Sequence, residues 1–233
     1  MAKPHEYSFT ELLSHSWNFF SENFIQILAI TLIVFVPISL VHSVEPLFTH
    51  DVEGNKLSDY FTISMLLEFF LGIIAVMAIA IFVKTKTSGK KVDFKSALLK
   101  SIEKWPVAIG TNLLQTIFLL GLFLLLVIPG IYFGVYWAFT TLAVVLSDKR
   151  FKGAMDYSKS LVQGRWWRTL GILLGVTLIV VAAGMLAGLP FEVLPKNIFS
   201  SFSMNILIDV VQSFATVALT LLFLNYEKAK SKV

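Results

Sequence analysis

Apolar residues in this chain fall into six long runs separated by short polar segments, and no stretch alternates in the manner of a strand. The runs cover about 24–44, 61–83, 106–128, 130–147, 169–189 and 205–226. A helix rises about 1.5 Å per residue, so roughly 20 apolar residues cross the ~30 Å hydrocarbon core. Runs such as Leu119–Ile128 are apolar on every face. Backbone groups in lipid must be satisfied within the segment, so the runs are read as helices and not as barrel strands. From Trp105 to Ser147 there are 43 residues without a charge, which predicts two spans joined by a minimal turn at Pro129-Gly130. The predicted fold is all-α: a polytopic membrane bundle of six transmembrane helices.

The polar segments before spans 1, 3 and 5 share a second pattern. Phe9, Phe94 and Phe151 each open a segment with small or apolar residues three and four positions on and Ser at the eighth (Ser16, Ser101, Ser158). Tryptophan follows in each: Trp17, Trp105 and the pair Trp166-Trp167. Phe9, Leu12, Leu13, Trp17, Phe20 and Phe24 lie on one face of a helix, with Ser8 and Glu11 forming a capping box at its start. Asp93 caps a second helix whose apolar face is Phe94, Ala97, Leu98, Ile102 and Trp105. The chain therefore reads as one integral membrane domain, 1–233, built of three repeats (about 8–83, 92–147 and 150–226). Each repeat is an interfacial amphipathic helix followed by a transmembrane hairpin. Such helices either pack beneath the bundle as a collar or grip lipid with their apolar face in the acyl boundary.

Charge orients the bundle. Of nineteen Lys and Arg, one lies in 1–23, seven in 84–104, six in 148–168 and three in 227–233, while only Lys56 and Lys196 lie on the other side. Loops rich in Lys and Arg stay in the cytoplasm, which predicts a bacterial cytoplasmic membrane protein with both termini inside. The first apolar run starts only near Phe24 and is followed by Pro37 and Glu45, so span 1 is expected to remain in the mature protein. At 56% apolar and 15% charged, with a mean hydropathy of +0.78, the chain lies outside the range of soluble domains. Its net charge of +4 follows the membrane rule and indicates anionic inner-leaflet headgroups as partners, at about 1 kcal/mol per close Lys or Arg, not nucleic acid. With no cysteine, disulfides and thiolate chemistry are excluded.

In the third unit, Pro129-Gly130-Ile131-Tyr132, Val144-Val145-Leu146 and Ala154 through Gly164-Arg165-Trp166-Trp167-Arg168 resemble a set of bacterial membrane proteins. These are the membrane domain attached to some glycerophosphoryl diester phosphodiesterases and the YciC-type inner-membrane proteins. The likeness covers about 125–190, and Ser147 departs from it where an acidic residue is expected after the apolar run. It implies a polytopic inner-membrane module without the phosphodiesterase chemistry, which belongs to a separate soluble barrel.

Candidate chemistry is sparse. Glu68 and Asp209 are carboxylates inside spans, each costing at least ~2.5–3.5 kcal/mol at depth on insertion scales. Counting back from Lys84 and Lys228 sets Glu68 level with Gln212, a polar layer that Asn112 and Gln115 of span 3 are candidates to join. The alternatives are structural hydrogen bonding and a substrate or proton path. Arg165, Trp166, Trp167 and Arg168, with Lys152 and Lys159 nearby, form a candidate anionic-headgroup site, since guanidinium pairs bidentately with phosphate. An ordinary membrane anchor explains the same residues. Gly171, Gly175, Gly184 and Gly188 give two GxxxG spacings, a candidate contact with a partner protein or a second copy. His42, His50, Asp51 and Glu53 lack metal-site spacing, and no cofactor is expected. The favoured function is a non-enzymatic, lipid-associated or envelope-maintenance membrane protein. The alternatives are a small transporter or channel using Glu68 as a proton or cation site, and a scaffold or immunity-type partner.

Overall fold

The computed structural model of the chain describes residues 6–44, 63–195 and 197–231, and every regular element among them is helical. In chain order these are α1 (Phe9–Glu22), α2 (Phe24–Val44), α3 (Ile63–Leu67), a π turn (Glu68–Gly72), α4 (Ile73–Thr87), α5 (Phe94–Leu125), α6 (Val127–Tyr136), α7 (Thr140–Ser147), α8 (Phe151–Val162), α9 (Trp166–Glu192) and α10 (Ile198–Lys230). Six stretches are long and apolar enough to cross a membrane: Phe24–Val44, Met65–Thr87, Phe94–Leu125, Val127–Ser147, Trp166–Phe191 and Ile198–Lys230. That set fits a multi-pass membrane protein.

Local chemistry explains the helix starts. Ser8 Oγ accepts from the Glu11 N–H at 3.2 Å while the Glu11 carboxylate accepts from the Ser8 N–H at 2.7 Å, closing the capping box. Asp93 accepts from the Ser96 N–H at 3.2 Å. The segment it starts does not end before span 3, however. It runs through Pro106 as one 32-residue helix, α5. The first and third amphipathic helices do end, at Asn23 and at Gln163, the latter followed by Gly164 with φ +82°. Between Ser101 and Ala108 no Gly or Asn offers the same stop.

The expected turn at Pro129-Gly130 lies earlier, at Leu126, the one extended residue between α5 and α6. Pro129 instead occupies the first turn of α6, where its missing N–H has no helical partner to lose. Gly130 is needed for the close approach of the two helices. A Cβ there would sit 2.5 Å from the Phe123 ring.

Span 4 is broken at Trp137–Phe139, and side chains from other helices repair the break. Ser158 Oγ of α8 donates to the Tyr136 carbonyl at 2.7 Å and accepts from the Phe139 N–H at 3.1 Å. Gln115 Nε2 of α5 donates to the Trp137 carbonyl at 3.3 Å.

The buried core is central and drawn mainly from three helices. Met77–Val83 of α4, Leu142–Leu146 of α7 and Leu221–Phe223 with Tyr226 of α10 are all shielded from solvent. α4 packs on both α7 and α10, and Phe139 meets Phe223 and Tyr226 at ring distances of 6.0 and 5.8 Å. The amphipathic segments surround this core, each resting on the hairpin before it. Phe94 N–H donates to Gln26 of α2 at 3.2 Å, and Trp105 Nε1 to the Phe70 carbonyl at 2.5 Å. Phe151 N–H donates to Thr111 of α5 at 3.0 Å, and Trp166 Nε1 to the Tyr132 carbonyl at 3.0 Å. The first segment closes the circle on the last hairpin: Phe9 lies against Gly175 of α9, and Trp17 against Phe214 of α10. Outside this core long stretches of helix surface are left uncovered. Only 11% of the most apolar window of Phe94–Leu125, and of Trp166–Phe191, is buried. Leu124, Leu125, Leu178 and Met185 stand well out, the arrangement lipid-facing helices adopt.

Candidate functional site

Span 2 changes its winding at Glu68–Gly72, where one turn is π-helical. Such a turn inserts an extra residue and redirects the side chains beyond it, and it recurs at functional positions. Here it presents Glu68 towards α2 and α10. A polar pocket of about 180 Å³ lies between them, lined by Ser39 and His42 of α2, Glu68, and Asn205, Asp209 and Gln212 of α10. Ser39 Oγ donates to Asp209 Oδ2 at 3.3 Å. Asn205 Nδ2 is buried and has no hydrogen-bond partner among the described residues. Phe35, Ile208, Asp209 and Gln212 also line a larger groove of about 510 Å³ between α4, α9 and α10. Its remaining walls are mainly apolar, from Val76 and Ile79 to Val180, Val181 and Leu219. The polar pocket and the apolar groove therefore share a wall.

Of the polar layer read from the sequence, Glu68, Asp209 and Gln212 come together. Asn112 and Gln115 do not join them. Asn112 Oδ1 accepts from Thr141 at 3.1 Å, and Gln115 serves the broken turn of span 4. For Gln115 the physical reason is local: the interruption in α6–α7 leaves backbone groups that apolar neighbours could not satisfy. Of the outer-loop group, His50, Asp51 and Glu53 lie outside the described residues.

Arg165 and Arg168 face inward to the chain's own N-terminal segment. Arg165 Nη1 lies 2.9 Å from Glu6 Oε1, and its guanidinium stacks 4.7 Å over the Tyr226 ring. Arg168 pairs with Glu6 and donates to the Tyr7 carbonyl. Trp166 is fixed by Tyr132, whereas Trp167, Lys152 and Lys159 are exposed. Of the span 5 glycines, Gly175 receives the Phe9 ring and Gly188 faces Met204, while Gly171 and Gly184 look onto open space.

A second network went unnoticed in the sequence. Glu227 Oε1 accepts from Ser147 at 2.5 Å and from the Tyr157 hydroxyl at 2.6 Å. Burial, with Glu227 beside it, pushes the Tyr157 hydroxyl up to about 12. The acid expected at position 147 is thus supplied by α10 to the serine that stands there. Nearby, Lys84 donates to the Leu146 carbonyl and Lys104 to the Val145 carbonyl at 2.8 Å, offsetting the negative end of α7. Lys104 also meets Asp148 at 2.5 Å and holds its carboxyl below the usual range.

Residues 56–229 match the family described as Domain of unknown function (DUF7847). The chain belongs to the DUF7847 family. The matched region takes in spans 2 to 6 and so includes Glu68, Asp209 and the Arg165–Arg168 cluster. DUF7847 membership lends no support to the phosphodiesterase resemblance. No curated protein and no solved structure matches the chain.

Proposed function

We propose that this DUF7847 protein is a non-enzymatic protein of the bacterial cytoplasmic membrane that holds a lipid amphiphile. The observation that carries the reading is the adjacency of the apolar groove and the polar pocket, which share Phe35, Ile208, Asp209 and Gln212 as lining residues. An apolar channel ending in a few convergent polar groups is the usual form of a site for an amphiphilic ligand. Gly184 lines the groove, and a Cβ there meets no atom within 4 Å, so Gly184→Leu is expected to place its side chain in the groove. In native mass spectrometry the wild type is expected to retain lipid and Gly184→Leu to lose it. Equal retention by the two proteins would falsify the reading.

The basic end belongs on the cytoplasmic side in this proposal, with Lys152, Lys159 and Trp167 at anionic headgroups. Arg165 and Arg168 hold α1 through Glu6 and reach a headgroup only by exchange with that carboxylate. The threefold repeat is likewise our reading of the building plan. Two features support it: Leu12, Ala97 and Ala154, and likewise Ser16, Ser101 and Ser158, are all fully buried, and the amphipathic segments dock in a cycle. A partner or second copy would meet α9 on its Gly171 face.

A second reading is favoured by the π turn at Glu68 and the nearby Asp209: a proton or cation path through the pocket. Proteoliposome flux abolished in Glu68→Gln would support it, and flux that persists would remove it.

A further inference from the structure

The pocket's donors and acceptors are unevenly matched, and this defines the headgroup it would take. Glu68 and Asp209 bring two carboxylates to one 180 Å³ space that His42 and Gln212 also line, and no Lys or Arg among the described residues lines it. Asp209 has one neutral donor, Ser39. In the same pocket the buried Asn205 Nδ2 is a donor that lacks an acceptor. Two carboxylates at one site within membrane spans favour a cation as counter-charge, most strongly one that also donates hydrogen bonds. A primary ammonium meets both demands, with three donors on one centre. The amide of Asn205 calls for an acceptor close by, which a phosphate oxygen supplies. The apolar groove that shares a wall with the pocket accounts for attached acyl chains, which a free metal ion or free amine would leave without a role.

Resting on the amphiphile reading above, we propose that the ligand is an aminophospholipid. Its ammonium sits between Glu68 and Asp209, its phosphate lies at Asn205, and its chains run along the groove between α4, α9 and α10. An anionic headgroup without an amine, such as phosphatidylglycerol, would add a negative charge beside two carboxylates and is selected against.

The test is native mass spectrometry of the full chain reconstituted with equal amounts of phosphatidylethanolamine and phosphatidylglycerol. Wild type is expected to retain the amine lipid roughly tenfold over the glycerol lipid, a preference of about 1.4 kcal/mol. Glu68→Gln with Asp209→Asn keeps the shape of both side chains and is expected to bring the ratio to near unity while lipid is still retained. If the double variant does not fold, Glu68→Gln alone, at an exposed position, is expected to lower the ratio severalfold. No preference in wild type, or a preference unchanged in these variants, overturns the aminophospholipid assignment and leaves the groove reading standing. Lipid retention unaltered by Gly184→Leu overturns the groove reading itself.

Discussion

Single residues do two kinds of work in this protein, and only one kind is visible in the sequence. Ser8, Glu11 and Asp93 act on backbone groups three residues away, and helix-capping rules find them at once. Glu6 and Glu227 act on partners 162 and 70 or more residues distant, so no local pattern marks them. Arg165 and Arg168 are conspicuous in the sequence, yet their partner Glu6 is not. Glu6→Gln is expected to cost about 1.5–3 kcal/mol through its charge-assisted bonds, read as faster amide exchange across Phe9–Glu22. Gly175 is equally specific. Gly175→Ala places a Cβ 2.6 Å from Phe9 Cζ and is expected to destabilise the docking of α1 by about 1–3 kcal/mol. Gly171→Ala, which meets nothing, is expected to be neutral in the same exchange experiment. Tyr157 supplies a pH signature. Its folded value is raised from 10.0 to about 12, so its contribution is whole below about 10 and is lost as pH rises towards about 12. An absorbance titration should show a late tyrosine component that Glu227→Gln moves back towards the ordinary value.

At the scale of elements, the six spans follow from hydropathy alone because lipid demands length and apolarity and little else. Their interruptions do not. The break at Trp137–Phe139 exists because Ser158 and Gln115 arrive from other helices to take up its backbone groups. Likewise Trp105 caps a carbonyl within the π turn of span 2. The turn after α5 is displaced from Pro129-Gly130 to Leu126 because proline suits a first helical turn and glycine suits a ring overhead. Ser158→Ala leaves a buried carbonyl and N–H unpaired, at about 1–3 kcal/mol for each group. Hydrogen exchange at the Phe139 amide should accelerate strongly, while α2 remains unchanged.

For the whole molecule, the pattern repeated before spans 1, 3 and 5 marks a first apolar position (Leu12, Ala97, Ala154) and a Ser (Ser16, Ser101, Ser158) that are fully buried in all three segments, and those segments pack around α4, α7 and α10. The cyclic order in which they dock was beyond sequence reading, since it depends on which hairpin each segment meets. The candidate site was half legible: Glu68, Asp209 and Gln212 stood out as polar residues in spans, whereas the groove is a gap between helices and leaves no mark in any one of them. The absence of cysteine makes orientation directly testable. Single Ser88→Cys and Ser231→Cys variants should label from the cytoplasmic side, and Asn197→Cys from the opposite side. The central claim, that the groove holds an amphiphile, is tested most directly by a density map of the protein in lipid nanodiscs. Elongated density between α4, α9 and α10, ending in a compact feature at Asp209 and Asn205, is the predicted result. A groove closed by helix contact, or holding only isolated water peaks, would contradict it.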